Sequence, residues 1–127
     1  MKIYLAAAIT HAPEEFRSFI EDFRQVLKQD FEVLDFFGLK VGDPKDVYEY
    51  DKKCLDECDI VVAEVSHPAL GVGYEIGYAL ANRKKVLAFA KTGAATGRMI
   101  RGITDSNFSF QYYDTEADII KAIKKLA

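Results

Sequence analysis

The chain has 127 residues, of which half are hydrophobic and 13% are aromatic, and it contains no polar low-complexity tract. This length and composition are typical of one domain with its own hydrophobic core, spanning residues 1–127, and they exclude a disordered chain. A net charge of −3, from 17 basic and 20 acidic residues, gives no electrostatic reason to expect a nucleic-acid polymer or an anionic membrane as partner, so a small-molecule ligand is favoured.

The predicted elements alternate between strands and helices. In chain order they are a strand at residues 2–8, a helix at 13–27, a strand at 31–37, a helix at 47–58, a strand at 60–65, a helix at 74–82, a strand at 86–90, a helical turn at 98–102, a strand at 108–113 and a helix at 116–126. This alternation predicts an α/β fold: a doubly wound, five-stranded, mostly parallel sheet flanked by helices, of Rossmann or flavodoxin-like type.

Ligands of such sheets bind in the crevice beyond the carboxyl ends of the strands. The connections that map to this edge are residues 4–10, 36–47, 66–75 and 91–101. Among them, residues 36–46 are the least predictable, because Gly42 and Pro44 interrupt a polar segment, and we expect a mobile flap there.

Two further properties follow from residue usage. The chain opens directly on a strand-like run and has neither a signal-peptide core nor the run of about 18 apolar residues that a membrane span needs, so we expect a cytoplasmic protein. Cys54 and Cys58 lie on one face of a predicted helix, but no second Cys or His pair at ligand spacing accompanies them. We therefore expect buried free thiols and no metal.

The central stretch, residues 59–81, is where chemistry is most expected. A buried strand ends in a Ser66-His67-Pro68 turn, and a Gly71-Val72-Gly73 bend precedes a predicted helix that begins near Glu75. The glycines do not fit a dinucleotide fingerprint, which follows the first strand and needs a third glycine at fixed spacing, and no Gly-Lys-Ser/Thr phosphate loop occurs. Glycines do allow backbone to approach a ligand closely.

A carboxylate just after these glycines can act as a nucleophile at a sugar anomeric carbon. Glu75 fits this role with Asp51 as a second acid. The residues alone leave an alternative open, in which Glu75 caps its own helix and Asp51 is solvated at a helix edge. In the same way, the residues alone favour Tyr4 as a core aromatic with a satisfied hydroxyl.

The segment from Ala63 to Gly77, AEVSHPALGVGYEIG, resembles the signature of the nucleoside 2-deoxyribosyltransferase superfamily, and is most similar to its 2′-deoxynucleoside 5′-phosphate N-hydrolase branch. Met99-Ile100-Arg101-Gly102 is a second, shorter match. With the Ile3-Tyr4 strand and the separation of Asp51 from Glu75, the resemblance covers nearly the whole chain.

The resemblance implies a role for each matching residue. Glu75 corresponds to a glutamate that attacks C1′ of deoxyribose, Asp51 to an acid that assists with base or sugar, and Tyr4 to a tyrosine that positions the glutamate. It further implies no metal or organic cofactor, and at least a homodimer in which the loop around Gly97, Arg98 and Met99 completes the neighbour's site. The full set of residues expected to bind substrate is Ala7, Ala8, Ile9, Thr10, Phe37, Ser66, Gly71, Gly73, Gly97, Arg98 and Met99.

The chain departs from the N-hydrolase branch at positions that hold the 5′-phosphate there. Ala8 and Thr10 replace a Ser and an Arg, and Ala69 and Gly97 replace two serines. Backbone N–H groups at a helix start remain available for a phosphate. The expected function is hydrolysis of 2′-deoxynucleoside 5′-monophosphates to base and 2-deoxyribose 5-phosphate. The alternatives are transfer of deoxyribose between bases and, in a different class, a nucleotide-binding module without turnover.

Overall fold

A computed structural model describes residues 1–34 and 43–126 of the chain. In chain order, its elements are β1 (Lys2–Ala7), α1 (Glu14–Leu27), β2 (Glu32–Leu34), α2 (Pro44–Glu57), β3 (Ile60–Glu64), α3 (Leu70–Ala81), β4 (Lys85–Lys91), α4 (Arg98–Arg101), β5 (Phe108–Tyr113) and α5 (Glu116–Lys124). The predicted alternation of strands and helices is confirmed.

The five strands form one sheet in the order β2-β1-β3-β4-β5, and every neighbouring pair is parallel. The order changes direction at β1, from which the chain passes first to β2 on one side and then to β3 on the other. In a parallel sheet this switch point opens a crevice at the carboxyl ends of the strands. The predicted fold is confirmed, and the sheet is wholly parallel.

Alternating side chains of the strands divide the core between the two faces of the sheet. Ile3 and Leu5 of β1 pack with α1 and α5, as in the cluster that includes Phe23 and Ile119. Tyr4 and Ala6 point to the other face, where the cluster includes residues of α2 and α3 such as Cys54, Leu55, Val72 and Ile76. This division directs Tyr4 toward α3.

Two predicted helix starts were wrong. Helix α3 begins at Leu70, because the Gly73 amide already donates to the Ala69 carbonyl oxygen at 3.2 Å, so the predicted bend at residues 71–73 is the first turn of the helix. Helix α2 begins at Pro44 instead of residue 47. Proline is tolerated there because an N–H group in the first helical turn has no partner within the helix, so its absence costs no hydrogen bond. Most of the predicted flap and the end of the predicted second strand fall in residues 35–42, outside the described residues.

Other predictions concern the thiols and membrane insertion. Cys54 and Cys58 are buried free cysteines, as expected. Within residues 1–34 and 43–126, no helix combines the length and the apolar character that spanning a bilayer requires.

Candidate active site

A cavity of about 360 Å³ lies at the carboxyl edge of the sheet on the side of α2 and α3. Its wall is formed by the end of β1 and the turn after it, by one residue of α2, and by the beginning of α3 with the turn before it. The residues that line it are Tyr4, Leu5, Ala6, Ala7, Ala8, Ile9, Thr10, His11, Asp51, Pro68, Ala69, Leu70, Gly71, Val72 and Glu75. This volume lies within the range of about 300 to 1,000 Å³ typical of small-molecule sites.

Tyr4 and Glu75 form the central contact of this cavity. The Tyr4 hydroxyl donates a hydrogen bond to Oε2 of Glu75, and Tyr4 itself is only 1% exposed. Burial, together with the neighbouring Glu75 carboxylate, holds the pKa of Tyr4 far above its usual value. Tyr4 is therefore a permanent donor that fixes one oxygen of Glu75 while the carboxyl group still faces the cavity.

Glu75 has a shifted pKa. Burial raises its pKa from 4.5 to about 7, the Tyr4 hydrogen bond opposes this rise, and the charge of Asp51 adds to it. At neutral pH, Glu75 thus exchanges between carboxylic acid and carboxylate. A titratable group with a perturbed pKa inside a cleft is typical of a catalytic site.

Asp51 joins the same cavity from helix α2. It is partly buried, and its charge raises the pKa of both Tyr4 and Glu75. The cavity therefore holds two carboxyl groups in different settings, one bound to a buried tyrosine and one partly buried in the middle of helix α2. The structure brings together the three residues predicted to be catalytic.

The first turn of α3 also faces the cavity. Its N-cap, Ala69, provides no side-chain hydrogen bond, and the first turn contains no acidic residue. The leading amides of an α-helix have no partner within the helix and carry partial positive charge. A Cβ added at Gly71 would meet nothing within 4 Å, so the space beside this backbone is open.

The other predicted binding residues divide into several groups. Ala7, Ala8, Ile9, Thr10 and Gly71 line the cavity with Glu75. Gly73 and Gly97 line an adjoining cavity of about 190 Å³, which also contains Thr96 and shares Pro68, Ala69 and Val72 with the first. Arg98 and Met99 lie in the short helix α4 with exposed side chains.

Ser66 is placed differently from the other predicted binding residues. Ser66 does not line the cavity of Glu75; its hydroxyl donates to Oε2 of Glu64 at 2.9 Å and accepts from the Lys91 amide at 2.8 Å. The reason is that Ser66 lies two residues after the end of β3 and turns toward the neighbouring strand β4. Phe37, also predicted to bind substrate, lies outside the described residues.

Sequence reasoning missed His11 as a cavity residue and Glu64 as a buried acid. His11 lines the cavity from the turn after β1, where its sequence gave no signal beyond polarity. Glu64 is only 2% exposed. A signal for it existed, because it is the one acid within the apolar run at residues 60–65. Among residues 1–34 and 43–126, no group of three His, Cys, Asp or Glu side chains is arranged to hold a metal ion.

Comparisons with known proteins identify the family of the chain. The family model for nucleoside 2-deoxyribosyltransferase matches residues 3–111. A Thermofilum pendens protein, provisionally named 2′-deoxynucleoside 5′-phosphate N-hydrolase 1, is 36% identical over 99% of this chain and 92% of its own length. The 5-hydroxymethyl-dUMP N-hydrolase of Branchiostoma floridae is 41% identical over 65% of this chain and 82% of its own length.

Among solved structures, the CMP N-glycosidase of Clostridium botulinum superimposes with a TM-score of 0.77 at 26% identity, and the match covers 100% of both chains. The family match extends over the three residues that meet in the cavity, Tyr4, Asp51 and Glu75. The chain therefore belongs to the nucleoside 2-deoxyribosyltransferase family.

Proposed function

We propose that this enzyme hydrolyses the N-glycosidic bond of 2′-deoxynucleoside 5′-monophosphates, giving free base and 2-deoxyribose 5-phosphate through a covalent glutamyl-sugar intermediate. The observation that carries the proposal is the hydrogen bond from buried Tyr4 to Glu75, in a cavity of suitable size that also contains Asp51. The names of two relatives, both N-hydrolases of deoxynucleotides, support the choice of bond and substrate class.

In the first step, the free carboxylate oxygen of Glu75 attacks C1′ while the bond from C1′ to the base nitrogen breaks. The electron pair of that bond leaves with the base, which takes a proton from solvent water. Tyr4 supports this step by holding the other oxygen of Glu75, so that the nucleophile keeps one orientation.

In the second step, water attacks C1′ of the glycosyl ester and Glu75 leaves as a carboxylate. The Asp51 carboxylate accepts a proton from this water and passes it to solvent. Two inversions at C1′ restore its configuration, as in retaining glycosidases that use a carboxylate nucleophile. The atoms balance with water as the only co-substrate.

The 5′-phosphate is assigned to the open first turn of α3. Its free amides and the absence of acidic residues favour an anion there, and Thr10 and His11 line the same cavity. Arg98 lies in the first turn of α4. We propose that a second copy of the chain brings its residues 97–99, at the start of α4, to this cavity, as the family resemblance implies. A homodimer would then complete the phosphate site.

The test is to incubate purified protein with deoxynucleosides and their 5′-monophosphates, matched in base, and to measure free base. Release from the monophosphates is the expected result. Absence of release from every deoxynucleotide would overturn the proposal, and release that survives Glu75→Ala would favour a binding module with contaminating activity.

Transfer of deoxyribose between bases is the second candidate. It is favoured by the residues Ala8, Thr10, Ala69 and Gly97, which lack side chains that bind phosphate strongly, and by the name of the matching family model. Adding a second free base to the reaction separates the two candidates, because transfer yields a new nucleoside or nucleotide that contains the added base, whereas hydrolysis yields only the free sugar or sugar phosphate and the base.

A further inference from the structure

Glu64 lies on the face of the sheet opposite to Glu75. Its side chain points from the last residue of β3 toward α1 and α5, and it is 2% exposed. A carboxylate at this depth is costly unless donors surround it. Three donors do so: the Ser66 amide at 2.5 Å from Oε1, the Ser66 hydroxyl at 2.9 Å from Oε2, and the Tyr113 hydroxyl, also on Oε2.

These contacts join the carboxyl ends of three strands. Tyr113 is the last residue of β5, and the Ser66 hydroxyl accepts from the amide of Lys91, the last residue of β4. The pKa of Tyr113 lies far above its usual value because of its burial and of the Glu64 carboxylate, so its hydroxyl stays a donor at any physiological pH. Glu64, Ser66 and Tyr113 therefore form a fixed bracket across β3, β4 and β5.

The bracket holds the segment that enters the candidate active site. Pro68, Ala69 and Leu70 begin two residues after Ser66, and all three line the cavity of Glu75. Helix α3 starts within this segment, with Ala69 as its N-cap, and carries Glu75 in its second turn. A displacement of Ser66 would move the wall of the cavity and the start of the helix together.

A third cavity, of about 650 Å³, lies beside the bracket and is also lined by Phe16, Phe19 and His67. The polar groups of Glu64, Ser66 and Tyr113 are directed at each other within the bracket. His67 packs edge-on against Phe16, with ring centroids 4.5 Å apart. The contacts of these residues thus serve to fix the turn, and they favour a positioning role over the binding of a second ligand.

We infer that Glu64, with Ser66 and Tyr113, is a positioning residue that fixes the turn at residues 66–69 and the first turn of α3 for the reaction at Glu75. Its catalytic consequence rests on the proposed function. The geometric part, that the bracket immobilises this segment, does not depend on the identity of the substrate.

The experiment compares Tyr113→Phe with Tyr112→Phe, the same substitution one residue earlier on β5. Tyr112 is 43% exposed and lines neither of the cavities that contain Glu75 or Glu64. Hydrogen–deuterium exchange should become faster at residues 65–73 in Tyr113→Phe and stay unchanged in Tyr112→Phe. Unchanged exchange in both variants would overturn the inference, whatever the activity.

Kinetics on the folded fraction then separate positioning from a purely structural role. In Tyr113→Phe and Ser66→Ala, kcat should fall about 10-fold, as expected for one lost hydrogen bond to a charged group, and KM should rise. Ser66→Thr keeps the hydroxyl and should retain most of the activity. A lower unfolding temperature with unchanged kcat and KM would contradict the role in the reaction.

The double variant of Glu64 and Tyr113 provides the last control. If Glu64 and Tyr113 act through one bracket, Glu64→Gln combined with Tyr113→Phe should lose little more activity than the worse single variant. Independent, multiplying losses would contradict a shared bracket. If the unmodified enzyme released no base, the proposed function would be overturned. The hydrogen–deuterium exchange measurement would still decide whether the bracket immobilises the turn.

Discussion

Tyr4 and Glu75 are 71 positions apart in the chain, yet the hydroxyl of one donates to the carboxylate of the other at the edge of the sheet. The contact exists because β1 and β3 are adjacent and parallel, with Tyr4 opposite Val61, and because Tyr4 points to the face that α3 covers. The buried Tyr4 hydroxyl thereby holds the carboxyl group of Glu75. Because the pKa of Glu75 is about 7, both its carboxylic acid and its carboxylate form are populated at neutral pH.

Replacing Glu75, the proposed nucleophile, gives the first prediction. Glu75→Gln keeps the shape of the side chain and an oxygen for the Tyr4 hydroxyl but cannot form the glycosyl ester. We expect base release from deoxynucleoside monophosphates to fall by about 10³-fold or more. Glu57→Gln, at an exposed site on α2, should retain full activity. Comparable activity of both variants would refute the nucleophile assignment.

The pH dependence gives the second prediction. In the proposed mechanism, the carboxylate form of Glu75 is the nucleophile. Burial favours the acid form of Glu75 up to a pKa of about 7, so kcat/KM should increase with pH through about 7. A pH–rate profile in buffers of constant ionic strength measures the midpoint. A rising limb centred near 4.5, the value of an unperturbed glutamate, would show that Glu75 is not desolvated as described.

Tyr4→Phe gives the third prediction. The Tyr4 hydrogen bond lowers the pKa of Glu75 against the effect of burial, so its removal should shift the rising limb to higher pH. Activity on the plateau should also fall by about 10- to 100-fold, because a hydrogen bond to a charged group contributes roughly 1.5 to 3 kcal/mol. Loss of activity without a shift of the midpoint would contradict direct contact in solution.

The fourth prediction concerns stability, which should decrease over the pH range in which activity increases. The pKa of Glu75 is higher in the folded state than the 4.5 of an ordinary glutamate, so folding binds a proton between these values. The free energy of unfolding therefore decreases as pH rises from 4.5 to about 7, and the full cost is present above pH 7.

Glu75→Gln removes this ionisation. Its unfolding free energy should exceed that of the native enzyme at pH 8 by on the order of 2 kcal/mol, and the difference should shrink toward pH 5. Urea unfolding at the two pH values measures the effect, with Glu57→Gln as the exposed control. A difference that is independent of pH would have to arise from packing instead of ionisation.

Phosphate recognition gives the fifth prediction. Ala69→Ser adds a hydroxyl at the N-cap of α3, beside the amides assigned to the 5′-phosphate. KM for the monophosphates should fall while KM for the matching nucleosides stays constant. An equal change for both substrates would place the phosphate away from this helix start.

The elements and their order could be predicted from the sequence because their signals are local. Apolar runs mark the strands, residues at helical spacing mark α1, α2 and α5, and alternation of the two requires parallel crossovers. The start of α3 could not be predicted, since glycines at 71 and 73 fit both a bend and an open helical turn, and the Ala69 to Gly73 hydrogen bond decides between them.

The local chain and the family resemblance were enough to select Glu75, Asp51 and Tyr4 and to leave the phosphate positions open. Only the tertiary structure decided the direction of each side chain. Strand pairing sends Tyr4 to the face of Glu75 and Glu64 to the opposite face, and it turns Ser66 away from the cavity toward Lys91. The physical reason is that burial, charge and hydrogen-bond partners depend on neighbours from distant parts of the chain, and the sequence does not contain their positions.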